Sequence, residues 1–364
     1  MIEFERDDLK ELKARGFDPD GFEKVWKDHE SGRWDRELIP DVSRIAPPRE
    51  EHLFRLPPPG SPARRDLEVA GRDAIDSGRV GAVVLNGGMA TRFGGGVKGT
   101  VEVVGGRSFL DLKISQIRAV SSRVPIFLMN SPATHEATLR HLEGIPAAGS
   151  GVHTFLQPVG PRVSGDGTLV REDGVISTSG MGHGDALTAF RDGGLELLRG
   201  LGGEIVTVSN VDNLGACLDP VIIGAHLAGG RRVSVEVAPR DPADKGGMPV
   251  LLDGRAVLLE GFRWPDGLDA RQYATFNTNT FVIDAEVFED PPVLDAYPVR
   301  KKVGNVPVVQ FERILGEVTL HEPSCFVVVP VEGAESRFIP IKTRDDLERR
   351  RRDIAACLGR WSVL

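Results

Sequence analysis

The sequence predicts an α/β fold with a mixed, mostly parallel central sheet and helices on both faces. Three observations carry that prediction. Short apolar runs rich in β-branched residues recur, and Val80–Leu85 is the clearest of them; strands buried on both faces read this way. Stretches of helical periodicity separate these runs. A glycine-rich loop, residues 86–99, follows the first run directly, and open sheets of this kind bind ligands at the carboxyl ends of their strands.

The elements follow in order. Residues 1–45 are charged, with Phe4, Leu9, Leu12, Phe17, Phe22, Val25 and Trp26 at helical spacing. Pro47, Pro48 and the run Pro57-Pro58-Pro59-Gly60 interrupt regular structure, so 46–63 is expected as a linker. Residues 1–63 thus form an N-terminal helical segment and linker, 64–343 a catalytic domain, and 344–364 a closing helix. Within the domain a helix is expected at 64–78, then strand Val80–Leu85, the loop, and a strand at 100–103. A helix at 109–120, a strand at 125–129, a helix at 134–142 and a strand at 152–157 come next. Further strands are expected at 204–209, 232–237, 250–252, 256–260 and 276–283, and helices at 184–199 and 219–227. No internal repeat is evident.

Bulk properties narrow the function. With 364 residues, 40% hydrophobic and 27% charged, the chain can bury a large core. No apolar run approaches ~20 residues, so no membrane span is expected. Residues 1–10 are polar and acidic, unlike a secretory signal. Cys217, Cys325 and Cys357 are odd in number and far apart, which suits neither a metal cluster nor a disulfide framework; a cytoplasmic location is expected. A net charge of −8 argues against nucleic acid as a partner. A phosphate substrate must then be held by a few local cations. The arginine run 349–352 reads as a solvated helix face.

Four segments concentrate chemistry. The loop from Leu85 and Asn86 through Gly87 and Gly88 to Gly99 offers closely approachable backbone amides, an anion-binding arrangement, with Arg92 and Lys98 adding full charges. It matches neither the kinase-type phosphate loop nor the dinucleotide fingerprint, and a plain surface turn is the alternative. The segment Ser209-Asn210-Val211-Asp212-Asn213 ends a buried strand. A carboxylate there is placed to hold Mg²⁺, and turn chemistry is the alternative. In Gly182-His183-Gly184-Asp185, Asp185 is either a helix N-cap or a ligand, and His183 either a donor to substrate or a buried structural histidine. Last come Lys245-Gly246-Gly247, Phe276-Asn277-Thr278-Asn279-Thr280 and the segment 336–343 with Lys342. Asn277 and Asn279 share one strand face, and Asn is disfavoured in strands; sugar hydroxyls or a strand-end turn account for them. Lys245 and Lys342 are either phosphate ligands or surface lysines.

Taken together the segments resemble the UTP–glucose-1-phosphate uridylyltransferase family. The resemblance lies in LNGGMATRFGGGVKG (85–99), FLDL (109–112), LMNS (128–131), THE (134–136), FLQPVGPRV (155–163), GHGD (182–185), SNVDNLGA (209–216), DKGG (244–247), LLE (258–260), FNTNT (276–280) and SRFIPIKT (336–343). It implies a Rossmann-like nucleotidyltransferase fold. It also implies roles. The backbone of Leu85, Asn86, Gly87 and Gly88, with Lys98 and Arg92, holds the triphosphate. Gln157, Gly87 and Gly182 read the uracil edge near Met129. Asp212 binds Mg²⁺. His183 and Asn210 lie by the α-phosphate and the sugar; Asn277, Asn279, Gly247 and Glu260 face the glucose; Lys245 and Lys342 grip the sugar phosphate. Two features depart from the family pattern. The family's loop usually reads Pro-Lys-Ser where this chain has Val97-Lys98-Gly99; Lys-Gly also occurs in the related UDP-N-acetylhexosamine pyrophosphorylases. Eukaryotic members continue into a C-terminal β-helix domain, whereas here only residues 344–364 follow, so a monomer or weak oligomer is expected.

The implied reaction is in-line attack by the phosphate of glucose 1-phosphate on the α-phosphorus of UTP, giving UDP-glucose and pyrophosphate. The attacking phosphate, with a second pKa near ~6, is already ionised at neutral pH, so no general base is required. The obstacle is repulsion between polyanions: a like-charge pair at ~4 Å costs about 1 kcal/mol in water and about 4 at an effective dielectric of 20. Positioning and charge neutralisation are therefore the expected means. Three alternatives remain open at this point. One is a pyrophosphorylase for a galactose or N-acetylhexosamine 1-phosphate. Another is a glycosyltransferase, although its usual Asp-x-Asp is here Asn210-Val211-Asp212. The third is a non-catalytic nucleotide-sugar sensor.

Overall fold

The computed structural model describes residues 2–241 and 246–363. An eight-stranded sheet runs through its centre in the order Leu53–Arg55, Ser324–Val328, Val233–Pro239, Thr275–Asp284, Ile205–Asn210, Val80–Leu85, Ile126–Asn130, Val152–Leu156. Five neighbouring pairs are parallel. Thr275–Asp284 runs antiparallel to both its neighbours. The sheet is mixed and mostly parallel, as expected.

Alternation along the strands builds two cores, because successive side chains point to opposite faces. On one face Val80, Ala82, Val84, Ile126 and Leu128 pack with Ala74 and Ile75 of helix Pro62–Asp76 and with the apolar side of helix Phe109–Val120. On the other, Val83, Leu85, Phe127, Met129, Val206 and Val208 meet Leu187 and Phe190 of helix Ala186–Gly193. Each such fully buried side chain contributes roughly 1.5–3 kcal/mol. Helix caps agree with the sequence: Ser61, Ser108 and Asp219 each accept a backbone N–H in the first turn of the helix that follows.

Several elements differ from expectation. The helix expected at 184–199 is a short turn, His183–Asp185, then Ala186–Gly193 and Leu195–Gly200. The break falls at Gly193-Gly194, where Phe155 and Phe190 occupy the space a side chain would need. The segment expected as a linker contributes the edge strand Leu53–Arg55, too short and too flanked by proline to be read from pattern. The strand expected at 100–103 is a tight turn, Lys98–Thr100, followed by the ribbon Glu102–Val104 and Arg107–Ser108. An unforeseen long hairpin, Ala296–Val303 with Val306–Arg313, joins Val163–Ser164 in a small lobe beside the main sheet. Pro298, Pro307 and the charged stretch 300–302 conceal its alternation.

The N-terminal helices Arg6–Ala14 and Pro19–Glu30 cover this lobe. Leu12, Phe17, Phe22, Val25 and Trp26 pack on Val159, Val163 and Phe311, with Phe22 edge-on to Phe311 at 5.7 Å between ring centres. Helix Arg344–Arg360 closes the chain and buries Ile354, Cys357 and Leu358, with Thr343 and Asp346 capping its start. Its arginine run is a helix face: Arg351 pairs with the neighbouring Glu348 at 2.8 Å, and Arg350 is half-buried and donates to the Phe338 carbonyl at 3.1 Å. Among the described residues no helix is long and apolar enough to cross a membrane.

Candidate active site

The strands Val80–Leu85, Ile126–Asn130 and Ile205–Asn210 end together at a cleft of ≈ 570 Å³ between the sheet and the small lobe. Leu85, Gly87, Gly88, Lys98, Met129, Gln157, Gly182, His183, Asn210 and Asp212 line it. Ten of the residues singled out from the sequence thus share one wall system, although they span the chain from 85 to 212.

At one end Lys98 is ion-paired with Asp212. The two loops that carry them are built differently. Lys98 follows Gly94, Gly95 and Gly96, whose φ values are 100°, 106° and 81°, in a loop closed by Ala90 N–H to Gly96 O at 2.8 Å and Lys98 N–H to Gly88 O at 3.1 Å. Asp212 begins a loop clamped from below. Lys113 is fully buried and donates to the carbonyls of Asn213 at 2.7 Å and Ala216 at 2.6 Å. Gln116 donates to Leu214 O at 2.9 Å, and Arg337 to Cys217 O at 2.9 Å. Burial pushes the Lys113 ammonium down to about 8.

Gly99 has a specific reason to be glycine. A Cβ there would lie 2.2 Å from Asn86 Oδ1. Asn86 is wholly buried, and its amide donates to Asn130 Oδ1 at 2.8 Å and Thr138 Oγ1 at 2.9 Å. Its side chain thus ties the ends of strands Val80–Leu85 and Ile126–Asn130 together, and its backbone N–H bonds Met129 O at 2.8 Å, so Asn86 is not among the residues that line the cleft.

Two of the cations singled out from the sequence do not line this cleft. Arg92 is exposed and lies off the cleft wall, because the loop turns it outward beside the inward-facing Phe93. Lys342 is exposed, and its backbone N–H is held by Asp346 at 2.9 Å in the cap of the last helix. Lys245 lies outside the described residues.

His183 and Gln157 also line the cleft. Burial pushes the His183 imidazole down to about 4, so it is neutral. Its Nδ1 accepts the Leu315 N–H at 3.2 Å, which leaves the proton on Nε2 as a donor. Gln157 donates to the Gly182 carbonyl. Asp185 is not a cap: its carboxylate accepts from Arg313 at 3.0 Å, and no side-chain cap bond forms.

The amide set expected to face a sugar also comes together. Asn279, held at φ 57°, donates to Asn210 Oδ1 at 3.0 Å, and its backbone N–H is accepted by Asn277 Oδ1 at 2.8 Å. The Asn277 N–H bonds Gly247 O at 2.7 Å. Glu260 stands against Gly247, where a Cβ would lie 2.7 Å from its Oε1. Burial, then the charge of Glu317, push the Glu260 carboxyl up to about 7, against the pull of Arg263. Among the described residues, buried Glu260 Oε1 and Asn279 Oδ1 have no hydrogen-bond partner. Of this set Asn210 lines the cleft described above; Asn277, Asn279, Gly247 and Glu260 are not among its lining residues, and Asn279 joins it through its bond to Asn210.

Sequence reasoning missed Arg15, Arg162, Gln310 and Glu312, which form the lobe side of the cleft. Arg15 ends the first helix and donates to Thr178 Oγ1 at 2.9 Å; Arg162 donates to Gln310 Oε1 at 3.1 Å. Arg162 falls within the FLQPVGPRV segment, which assigns it no role, and no local motif announces Arg15, Gln310 or Glu312, since they meet only through the packing of the N-terminal helices and the hairpin on the lobe.

The chain as a whole is similar to known proteins. The family model described as UTP–glucose-1-phosphate uridylyltransferase matches residues 51–356. The UTP–glucose-1-phosphate uridylyltransferase of Musa acuminata is 32% identical over 79% of this chain and 65% of its own length; that of Hordeum vulgare is 33% identical over 72% and 59%. The chain therefore spans less than two thirds of these relatives. Among solved structures, a UDP-glucose phosphorylase from Trypanosoma brucei superimposes with a TM-score of 0.75 at 25% identity, over 93% of this chain and 77% of that one. A uridine diphosphate N-acetylglucosamine pyrophosphorylase from the same organism gives 0.78 at 21% identity, over 95% and 79%. The fold is that of these nucleotidyltransferases.

Proposed function

The chain belongs to the UTP–glucose-1-phosphate uridylyltransferase family, and we propose that it makes UDP-glucose and pyrophosphate from UTP and glucose 1-phosphate. The observation that carries this reading is the meeting of Lys98, Asp212, the glycine loop and Gln157 in the wall of a single cleft. The cleft's ≈ 570 Å³ falls in the range of small-molecule sites, roughly 300–1,000 Å³.

The residues then divide the work. Gln157 with the backbone of Gly87 and Gly182 reads the base beside Met129. The amides of Gly87 and Gly88 face the triphosphate, and Lys98 neutralises part of its charge. His183 offers its Nε2–H to an α-phosphate oxygen without adding charge. Asn210, Asn277, Asn279 and Glu260 take the sugar hydroxyls, which supply partners for the two buried oxygens that lack them. No step requires a residue to abstract a proton. Lys245 and Lys342 are proposed to hold the sugar phosphate.

Asp212 is the residue that would hold Mg²⁺. It fits this ion: a single, partly exposed carboxylate at a strand end suits a cation that keeps several waters and phosphate oxygens. The described residues contain no group of three His, Cys, Asp or Glu able to form an all-protein cage. When bound, Mg²⁺ neutralises phosphate charge at the reacting centre.

The test is pyrophosphate release with Mg²⁺, glucose 1-phosphate and each of the four nucleoside triphosphates. Release with UTP alone is expected. Release with another nucleotide overturns the base assignment to Gln157. Turnover with galactose or N-acetylglucosamine 1-phosphate in preference to glucose 1-phosphate overturns the sugar assignment.

A further inference from the structure

The lobe side of the cleft holds a row of three polar side chains to which the reaction gives no part. Arg162 donates from Nε to Gln310 Oε1 at 3.1 Å, and Gln310 donates from Nε2 to Glu312 Oε1 at 2.8 Å. All three line the cleft. Gln310 and Glu312 are two apart on strand Val306–Arg313 and so share one of its faces. The row is anchored at its far end, where Arg162 also donates from Nη1 to Ser177 Oγ at 3.0 Å and from its backbone N–H to Ser177 O at 2.8 Å. The chemistry of its two ends fixes its direction. A guanidinium only donates and a carboxylate only accepts, so the buried Gln310 amide between them points one way.

Glu312 ends that row with one oxygen taken and one free. Among the described residues its only hydrogen-bond partner is the Gln310 amide, through Oε1. The next residue sets its place. The Arg313 N–H bonds Met181 O at 2.6 Å, and Arg313 N lies 2.6 Å from where a Cβ of Gly182 would stand. The Gly182 carbonyl in turn accepts from the Gln157 amide. Glu312 thus lines the cleft close to the residue assigned to the base. A carboxylate is out of place against a polyphosphate, because like charges repel. It is in place against groups that donate. A nucleoside triphosphate offers such groups on its base and on its ribose, and the base edge is already met by Gln157.

We propose that Glu312 contacts the substrate directly, its free oxygen accepting from the ribose diol of the nucleotide, and that Gln310 and Arg162 are positioning residues that aim it. A carboxylate on a ribose hydroxyl is the pairing that dinucleotide-binding folds use; here a hairpin of the small lobe supplies it across the cleft from the glycine loop. The lobe wall thereby becomes a specificity element that reads the sugar of the nucleotide separately from its base and its phosphates. This inference rests on the proposed function, which puts the base at Gln157 and the triphosphate at Lys98.

Equilibrium binding of UTP, 2′-deoxy-UTP and 3′-deoxy-UTP to the full chain, measured by calorimetry without sugar phosphate, tests it. The wild type is expected to bind UTP roughly tenfold to a hundredfold more tightly than at least one deoxy analogue, as a hydrogen bond to a charged group gives. Glu312→Ala is expected to bind UTP as weakly as the wild type binds that analogue, with the analogue's own affinity unchanged. Glu312→Gln, which keeps an accepting oxygen, is expected to retain a reduced preference, and serves if Glu312→Ala does not fold. Gln310→Leu leaves the carboxylate but removes its tether, and is expected to lower the ratio by a smaller factor; an unchanged ratio there overturns the positioning role. A Glu312 variant that weakens all three nucleotides alike, or none of them, keeps the ratio and overturns the ribose contact. A wild type that binds all three alike overturns the ribose subsite and leaves the proposed function standing. A wild type that binds no UTP overturns the proposed function, and this inference with it.

Discussion

The two loops that meet at Lys98 and Asp212 solve opposite problems at the ends of adjacent parallel strands. The 210–217 loop spends its carbonyls on buried side chains. Lys113, Gln116 and Arg337 take those of Asn213, Leu214, Ala216 and Cys217, and Asn213 Oδ1 accepts from Gly215 and Ile339 at 3.2 and 2.9 Å. The glycine loop has three successive positive-φ residues with open space where their Cβ atoms would stand. A carboxylate that holds a metal gains from being fixed in advance. Amides that must follow a flexible polyphosphate gain from a chain that can adjust. The contrast teaches that the site is anchored from the acidic side and adapts from the cationic side.

The strongest way to break this comparison is to remove what the rigid loop presents. Asp212→Ala is expected to lower kcat/KM at least about a thousandfold, as loss of a group acting on developing charge does, with little change in melting. Metal-independent activity at the wild-type level would remove the assignment. Next comes the clamp itself. Lys113→Met strands two buried carbonyls, and each unmade bond of this kind costs about 1–3 kcal/mol. A loss of about 2–4 kcal/mol by urea unfolding is expected, together with a higher Mg²⁺ requirement. A fully stable variant would show that the clamp is ornamental.

Glu260 sharpens the comparison on the sugar side. Burial raises its carboxyl to about 7 from the ordinary 4.5, so the fold favours the protonated form. That contribution is complete below pH 4.5 and is lost as pH rises through about 7. Glu260→Gln is not subject to this loss. The variant should therefore gain on wild type between those pH values, by about 3 kcal/mol at most, in parallel urea titrations. Parallel curves would mean that the carboxyl is solvated. The smallest effect belongs to the adaptable loop: Gly95→Ala, at φ 106° with nothing near its Cβ, is expected to cost about 1–2 kcal/mol through backbone strain alone. Its signature is a few-fold higher KM for the nucleotide. A change in melting like that of Lys113→Met would place the glycine loop in the folded core.

Much of this was legible in the chain. The buried strands, the central helix Phe109–Val120 and the strand-end placement of Gly87, Gln157, His183 and Asp212 follow from local pattern and motif order. What stayed hidden depends on distant partners. Lys113 reads as one charge in an amphipathic helix, and only the approach of 213–216 makes it a clamp. Asp185 reads as either a cap or a ligand until Arg313, more than a hundred residues later, claims it. Asn86 reads as a cleft residue because its neighbours are, but the strand end turns it under the sheet toward Asn130. The lobe escaped because prolines and like charges blur the period of its hairpin.

The central claim is that a sugar-phosphate oxygen attacks the α-phosphorus of UTP. Its most direct test supplies glucose 1-phosphate labelled with heavy oxygen in its phosphate, together with UTP and Mg²⁺, and follows the label by phosphorus NMR and mass spectrometry. The account predicts a labelled bridging oxygen in UDP-glucose and label-free pyrophosphate. Labelled pyrophosphate, or release of UDP with a sugar bisphosphate, would contradict it.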